Sequence, residues 1–298
     1  MAARPEIVDA HHHVWDLAVR PQPWLTTSAE LAPLRRAFSI AELAPQAAAA
    51  NVTASVVVQT VTEPGETPEL LALSLTGPLI AAVVGWTDLA APGVADALSG
   101  LRAMPGGQRL AGIRHPLLTE PDPDWLGRPD VRRGLTAVGA AGLTFDLVLQ
   151  PSQLPAAVRA AAALPDLTFV LDHLGNVDVG PVTDNAWAAS FADLAALPNT
   201  ACKLSGILGV PATGPDDPHS VSGDQPASVA HLRPYLDLAL ECFGPDRLMF
   251  GSDWPVCTLG ASYAGVVAVA VALTSTLSEA EQAAILGGTA RALYRIST

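Results

Sequence analysis

Three consecutive histidines stand at the end of the first apolar run of the chain. The segment reads Asp9-Ala10-His11-His12-His13 and follows Ile7 and Val8. Side chains i and i+2 of a β-strand point to the same face, so His11 and His13 converge while His12 faces the other side. Two convergent imidazoles can hold a divalent metal ion or polarise a carbonyl group. A tag remnant is the alternative, but a tag would not be embedded between IVDA and VWDL.

Acidic and imidazole side chains also end two later apolar runs. Asp172 and His173 close FVLDHLG, and Asp253 closes MFGSDWP. Barrel enzymes take their catalytic groups from the ends of several strands. We therefore predict catalytic roles for His173 and Asp253, with Asp253 also a candidate metal ligand beside His11 and His13. The structural alternatives are a helix cap for Asp172, a core histidine for His173 and a turn residue for Asp253.

Lys203 is the only lysine of the chain, and every other basic residue except histidine is an arginine. It lies in CKLSG, at the end of an apolar run. A buried lysine is costly unless it is paired, and its ammonium is a compact point charge unlike a guanidinium. We predict a catalytic role, in which Lys203 places positive charge near a developing oxyanion. The alternative is a structural partner for Asp146 or Asp172.

Other polar and aromatic residues near strand ends are candidates for substrate contact. Arg114 ends the run AGIRHP, where it can bind an anionic group or a sugar hydroxyl, or pair with Asp146 of the next strand. Tryptophans in the loops beyond the strands can stack on an apolar ring face. The predicted substrate-binding residues are Arg114, His115, Trp24, Trp86 and Gln59.

Short apolar runs alternate along the chain with Ala/Leu-rich segments of helical length. The predicted strands are Ile7–Ala10, Ala54–Gln59, Leu79–Trp86, Leu110–Arg114, Thr144–Leu149, Thr168–Asp172, Thr200–Leu204 and Leu248–Phe250. The predicted helices are Ala41–Ala50, Glu69–Leu75, Val94–Ala103, Val131–Ala140, Leu154–Leu164, Asp184–Ala196, Ala227–Phe243 and Tyr263–Leu273. This alternation is typical of the α/β class.

The pattern predicts one distorted (β/α)8 TIM barrel over residues 1–298. A doubly wound open sheet would also alternate, but it usually carries a glycine-rich fingerprint after its first strand, where this chain has histidines. Two long connections, at about 14–38 and 206–225, follow the first and seventh strands. In a barrel such loops lie over the catalytic face, so we expect both to overhang the pocket.

Composition excludes several classes of partner. The chain has 298 residues, 29 of them acidic and 16 Lys or Arg, with a net charge of −13. This balance argues against binding to nucleic acid or to an anionic membrane. Three cysteines without metal-type spacing indicate a reducing compartment, and Glu6 and Asp9 interrupt any signal-peptide pattern, so we predict a cytoplasmic protein. The sequence is compatible with a homo-oligomer.

The chain resembles the sugar-lactonase branch of the amidohydrolase superfamily. The motifs run in order along nearly the whole sequence: IVDAHHHVWD, VVVQT, VVGWTDL, LAGIRH, FDLVLQP, FVLDHLGN, CKLSG and FGPDRLMFGSDWPVC. The resemblance implies a distorted (β/α)8 barrel. It maps the family's His-x-His pair onto His11 and His13, its sixth-strand histidine onto His173 and its eighth-strand aspartate onto Asp253.

The resemblance also bears on cofactors. Metal-bearing members usually add a fifth-strand histidine and often a fourth-strand lysine or glutamate, where this chain has Asp146 and Arg114. Related lactonases work without a catalytic metal. The expectation is therefore one divalent ion, zinc being the candidate, bound by His11, His13 and Asp253 and not essential, or no metal at all.

The implied reaction is hydrolysis of a sugar-derived (aldono) lactone, a small-molecule substrate, by water that Asp253 activates. His11, His13 and His173, directly or through one metal ion, would polarise the carbonyl group. One alternative is a metal-dependent decarboxylase or a lactonase of a carboxylated ring, although Arg114 is the one well-placed strand-end arginine for extra carboxylates. The other alternative is a non-catalytic sugar-binding barrel.

Overall fold

Eight parallel strands form a nearly closed barrel in the computed structural model, which describes residues 6–177, 185–209 and 229–297. Neighbours in sequence are neighbours in the sheet, from the first strand to the eighth. The strands are β1 (Ile7–His12), β2 (Val52–Val58), β3 (Ile80–Gly85), β4 (Leu110–Pro116), β5 (Thr144–Val148), β6 (Phe169–Leu171), β7 (Thr200–Leu204) and β8 (Leu248–Phe250). The predicted (β/α)8 barrel is confirmed.

Helices connect successive strands and pack on the outside of the barrel. They are α1 (Ile40–Ala49), α2 (Glu66–Ser74), α3 (Val94–Ala103), α4 (Pro129–Ala140), α5 (Leu154–Ala163), α6 (Asn185–Ala195), α7 (Val229–Phe243) and α8 (Tyr263–Thr274). Pro129 begins α4, a position where the missing N–H costs nothing, and the Ser262 side chain caps α8. Their buried aliphatic residues and the outer face of the sheet form the main core. No helix in the described part of the chain is both long and apolar enough to cross a bilayer.

A further helical segment follows α8 and was not predicted from the sequence. It consists of Glu279–Ala283, a π-helical stretch Ala284–Gly288 and Thr289–Tyr294, and we call it the closing segment. Ser278 and Glu281 form a capping box at its start. Its residues Ala290 and Tyr294 pack into the end of the barrel opposite the strand C-termini, beside Val8. The closing segment therefore seals that end.

The interior of the barrel changes character along its axis. Its lower layer is built from small apolar residues: Val8, Ala10, Ala54, Val56, Val58, Ala82, Val84, Val170, Ala201 and Met249. Side chains alternate in and out along a strand, so the next inward positions after Val170 and Ala201 are Asp172 and Lys203. Both are fully buried. The upper layer of the same interior therefore carries charge.

The barrel is joined least extensively between β8 and β1. The amide of Asp253 donates to His11 O at 2.8 Å, and the amide of His13 donates to Trp254 O at 2.6 Å. A single bridge pairs His12 with Trp254, whereas every other strand pair forms a ladder. We call this junction the seam. It brings the histidine motif of β1 directly beside Asp253.

The first long connection leaves β1 at the C-terminal end of the strands. It contains two short 3-10 helices, Pro23–Thr26 and Ala29–Leu34. Most of the second, 206–225, lies outside the described residues, as do the predicted starts of α6 at Asp184 and of α7 at Ala227.

Candidate active site

An extra residue in β1 sets the direction of the three histidines. From Asp9 to His12 three residues of β1 pass while β2 advances only two, from Ser55 to Val57. Such a bulge shifts the in–out alternation by one residue. As a result Ala10 and His11 both lie on the inner side, and His12 points outward, where its Nε2 lies 2.9 Å from Ser55 Oγ.

His11, His13 and Asp253 converge at the upper end of the barrel. The Nε2 atoms of His11 and His13 lie 3.1 Å apart. Asp253 Oδ1 lies 3.5 Å from His13 Nε2 and 3.8 Å from His11 Nε2. The structure therefore brings together the three residues that were predicted as metal ligands.

Two of the histidines are oriented by partners outside this trio. His13 Nδ1 lies 2.8 Å from Val58 O, an acceptor, so Nδ1 carries the proton and Nε2 offers a lone pair to the site. His173 Nδ1 lies 2.8 Å from Ser205 Oγ. A serine hydroxyl that donates there leaves Nε2–H of His173 available as a donor.

Both His173 and Asp253 occur in the left-handed backbone region directly after strands β6 and β8. Their φ values are 55° and 58°. This conformation is costly for non-glycine residues and is concentrated at functional sites. Two glycines make room nearby, because a Cβ on Gly251 would lie 2.7 Å from His11 Cβ and one on Gly206 2.8 Å from His173 Cβ.

Arg114 and Gln59 hold each other at the side of the trio. The Gln59 amide donates to Arg114 O at 3.1 Å, and Arg114 Nη2 donates to Gln59 O. Arg114 Nη1 lies 3.1 Å from Asp172 Oδ2 and 3.3 Å from His11 Nε2. The suggested pairing of Arg114 with Asp146 does not form; Arg114 pairs with Asp172 instead.

Lys203 lies beneath the trio in what we call the sealed network, with Asp146, Asp172 and Tyr294. Lys203 Nζ lies 2.6 Å from Asp146 Oδ2 and 3.0 Å from Asp172 Oδ1. The Tyr294 hydroxyl donates to Asp146 Oδ2 at 2.7 Å. Lys203, Asp146 and Asp172 are fully buried, and Lys203 is not among the described residues that line the cavity above. Its position matches the structural alternative rather than contact with substrate.

Burial and neighbouring charge set the protonation of these groups. Burial lowers the pKa of His11 well below its usual value and that of His13 to about 3, so both imidazoles are neutral. Burial also raises the pKa of Asp253, against the opposing effects of His173 and Arg114. Burial alone would raise the pKa of Asp172, but Lys203, His11 and Arg114 outweigh it and hold that pKa well below its usual range. Asp172 is therefore ionised.

A cavity of about 800 Å³ opens above the trio. His13, His173, Asp253 and Arg114 lie at its floor, and the first long connection contributes Trp24 to its wall. Its described lining is His13, Val19, Arg20, Pro21, Pro23, Trp24, Gln59, Thr60, Val61, Thr62, Glu63, Arg114, Pro116, Leu118, Thr119, Val148, His173, Asn176, Asp253 and Val256. Its size fits a monosaccharide-sized molecule.

Two predicted substrate-binding residues lie away from this cavity. Because Arg114 points into the barrel, the next residue, His115, points out of it. His115 Nε2 lies 2.6 Å from Glu120 Oε1, its Nδ1 accepts from Trp86 Nε1 at 3.1 Å, and its ring stacks on Trp125. His115 and Trp86 are both missing from the described cavity lining, so their positions do not support substrate contact.

Tyr294, Ser205 and the Val58 carbonyl were not among the residues predicted from the sequence. Tyr294 belongs to the closing segment, which the alternation of strands and helices did not predict. It bonds to Asp146, which is 148 residues away in the sequence. Ser205 follows Lys203 by two residues, so strand alternation could have placed it on the same side. A backbone carbonyl leaves no signal in the sequence.

The residues of the trio fit a divalent metal ion. Each member offers one ligand atom, and these atoms lie within 4.8 Å of one another. Three protein ligands with one open position are typical of catalytic zinc sites. A second group, His11, Asp172 and His173, meets the same distance limit, but its Asp172 is already paired with Arg114 and Lys203.

With this geometry in place, comparison with known proteins identifies the class of enzyme. The chain belongs to the amidohydrolase family, whose model matches residues 8–296. It is therefore a hydrolase, as the motif resemblance implied.

Particular relatives are similar over nearly the whole chain. An L-fucono-1,5-lactonase of Burkholderia multivorans is 37% identical over 97% of this chain and 96% of its own length. An L-fucono-1,5-lactonase of Burkholderia ambifaria is 31% identical over 97% and 95%. A crystal structure of a B. multivorans amidohydrolase with bound zinc superposes with a TM-score of 0.86 at 34% identity, covering 99% of this chain and 100% of the other.

Proposed function

We propose that the protein hydrolyses the ring ester of a neutral sugar-derived lactone, with L-fucono-1,5-lactone as the first candidate. The observation that carries the proposal is Asp253 at the cavity floor, within 3.8 Å of the His11 and His13 Nε2 atoms. The relatives named L-fucono-1,5-lactonase support the choice of candidate.

The charges of the cavity wall favour a neutral substrate. Two described cations line it, Arg20 and Arg114. Arg20 is paired with Glu69 at 2.6 Å, and Arg114 is paired with Asp172 at 3.1 Å. Neither is left free to neutralise a carboxylate group, whereas Glu63 adds negative charge to the wall. A dicarboxylated ring or an aromatic acid would meet poor electrostatic complementarity here.

The proposed reaction begins with a water molecule at the floor. Asp253 accepts a proton from this water as its oxygen attacks the lactone carbonyl carbon. Burial raises the pKa of Asp253, which makes the carboxylate a better base than an exposed aspartate. As the tetrahedral intermediate collapses, the protonated Asp253 returns the proton to the departing ring oxygen, giving the hydroxy acid.

The negative charge of the tetrahedral intermediate needs donors that are already in position. His173, held through Nδ1 by Ser205, and Arg114, held by Gln59 and Asp172, are the candidate donors at the floor. A divalent ion bound by His11, His13 and Asp253, with zinc the candidate, would supply further polarisation of the carbonyl group. Trp24 and Gln59 are the candidate contacts for the sugar ring and its hydroxyls.

A panel of lactones tests the proposal. Purified protein is mixed with L-fucono-1,5-lactone, other aldonolactones and a dicarboxylated lactone in weak buffer with a pH indicator, because each ring opening releases a proton. We expect hydrolysis of neutral aldonolactones and little turnover of the dicarboxylated one. Preference for the carboxylated ring would support the alternative enzyme, and tight binding of sugars without any turnover would support a binding barrel.

A further inference from the structure

The carboxylate of Glu66 is buried beside the cavity but is not part of its described lining. Glu66 is the first residue of α2, and only 4% of its surface is exposed. A carboxylate at such a depth is costly unless donors satisfy its oxygens. Its hydrogen-bond donors come from Thr60 and Val61, two consecutive residues in the connection between β2 and α2.

These two residues bind the carboxylate mainly through their backbone amides. The amide of Thr60 donates to both oxygens of Glu66 at 3.0 Å, and the amide of Val61 donates to Oε2 at 3.1 Å. The Thr60 hydroxyl donates to Oε1 at 2.5 Å. Successive N–H groups that point to one side form a concave anion-binding site. Within the described part of the chain, the two amides bond to no other acceptor.

The segment that Glu66 holds is one side of the cavity. Residues 59–63 all line it, and we call them the side wall. Gln59 at its start is fixed independently, because its amide donates to Val84 O at 2.9 Å and its side chain donates to Arg114 O at 3.1 Å. The ladder between β2 and β3 ends just before it, at Val58. Beyond Gln59, the bonds to Glu66 therefore take over from the sheet.

We propose that Glu66 is a positioning residue that fixes the side wall in the shape that binds the substrate. It acts through Thr60 and Val61 and does not itself contact the substrate. The side wall faces parts of the sugar away from the reacting carbonyl group, so it contributes to binding of the ground state and the transition state alike. This role in binding rests on the proposed function, whereas the order of the side wall does not.

The first test measures the order of the side wall without any substrate. Glu66→Gln keeps the shape of the side chain but replaces one acceptor oxygen with a donor, which cannot bind an amide N–H. We expect hydrogen exchange at the Thr60 and Val61 amides to accelerate about 10-fold or more, with exchange in β2 unchanged. Equal acceleration throughout the barrel would show general destabilisation and would overturn the proposal.

The second test measures steady-state kinetics with a lactone that the panel shows to be hydrolysed. In Glu66→Gln we expect KM to rise about 10-fold and kcat to stay within about 2-fold, as loss of uniform binding predicts. A lower kcat with an unchanged KM would contradict the role.

Glu281→Gln is the matched control for both tests. Glu281 also accepts from a backbone amide and a hydroxyl, those of Ser278 at 2.8 and 2.7 Å, but it lies in the closing segment. This variant should leave KM and the exchange of the side wall unchanged. The same rise of KM in the control would show that the effect is not specific to the side wall.

Glu66→Asp is a milder variant that keeps the charge and withdraws it by one methylene group. We expect faster exchange at Thr60 and Val61 and a KM about 3-fold higher, both smaller effects than in Glu66→Gln. It decides the question if Glu66→Gln does not fold. Unchanged exchange and KM in every variant that folds would refute the role. If no lactone is hydrolysed, the proposed function fails, while the exchange measurement still tests whether Glu66 orders the side wall.

Discussion

The cavity floor and the sealed network carry similar chemistry at different depths. At the floor His13, His173 and Asp253 keep between 5% and 8% of their surface exposed, whereas Lys203, Asp146 and Asp172 keep none. The network residues are held by one another over distances of 2.6–3.0 Å. Groups at the cavity floor can therefore contact a substrate, whereas the fully buried groups just below them can only position the residues of the floor.

The largest expected effect on activity comes from a substitution at the cavity floor. Asp253→Asn keeps the shape of the side chain but cannot accept a proton from water, so lactone hydrolysis should fall by about 10²–10⁴-fold. Thermal unfolding followed by circular dichroism should change little, because Asp253 is not an anchor of the core. A variant that keeps more than half of the activity would remove Asp253 from the mechanism.

Lys203→Met instead removes the cation of the sealed network. It leaves Asp146 without its cation in a fully buried position, and the loss of one partner of a buried pair typically costs about 3–5 kcal/mol. We expect a sharp drop in melting temperature, with much of the turnover per folded molecule retained when zinc is saturating. Normal stability with a greatly reduced kcat at saturating zinc would instead restore the direct catalytic role predicted from the sequence.

Removal of a metal ion compares its contribution to the rate with that of Asp253. His173 and Arg114 would still polarise the carbonyl group without an ion, so prolonged chelation should lower the rate less than Asp253→Asn does. The rate with the preferred lactone is measured before chelation, after it, and after zinc is returned in known amounts. Complete loss of activity, restored by one equivalent of zinc, would make the metal essential.

The smallest effect compares two buried tyrosines. Tyr294→Phe and Tyr263→Phe each remove a hydroxyl that donates to a buried aspartate, Asp146 or Asp9 respectively. Hydrogen bonds to charged groups are worth about 1.5–3 kcal/mol, so both variants should lose similar stability in urea unfolding. An unchanged free energy of unfolding in either variant would show that its hydroxyl bond does not stabilise the fold.

The strand-end residues could be predicted from the sequence because period-two alternation and parallel strands place them at one edge. Their positions at strand ends were enough to single out His11, His13, His173 and Asp253. The same alternation also predicts that His115 points out of the barrel, because the preceding residue, Arg114, points into it. Residue type suggested that Lys203 was special, but its partners depend on how β5, β6 and β7 are staggered.

The staggering of strands leaves no local trace in the sequence, and neither does the bulge in β1. The predicted convergence of His11 and His13 assumed a regular strand. Counted in regular alternation from Ala10, the same strand would have sent both histidines outward. The closing segment was missed because a sequence rhythm of eight strands and eight helices was already complete before it.

The seam between β8 and β1 makes the site more fragile than the barrel that holds it. Its two backbone hydrogen bonds join the same short stretches that carry His13 and Asp253. A fluctuation that opens them costs far less than global unfolding, since the ladders elsewhere stay intact. On warming, the protein should lose activity reversibly at temperatures where its helices still give a native circular dichroism signal. Amide exchange at His13 and Asp253 should be the early indicator of that opening.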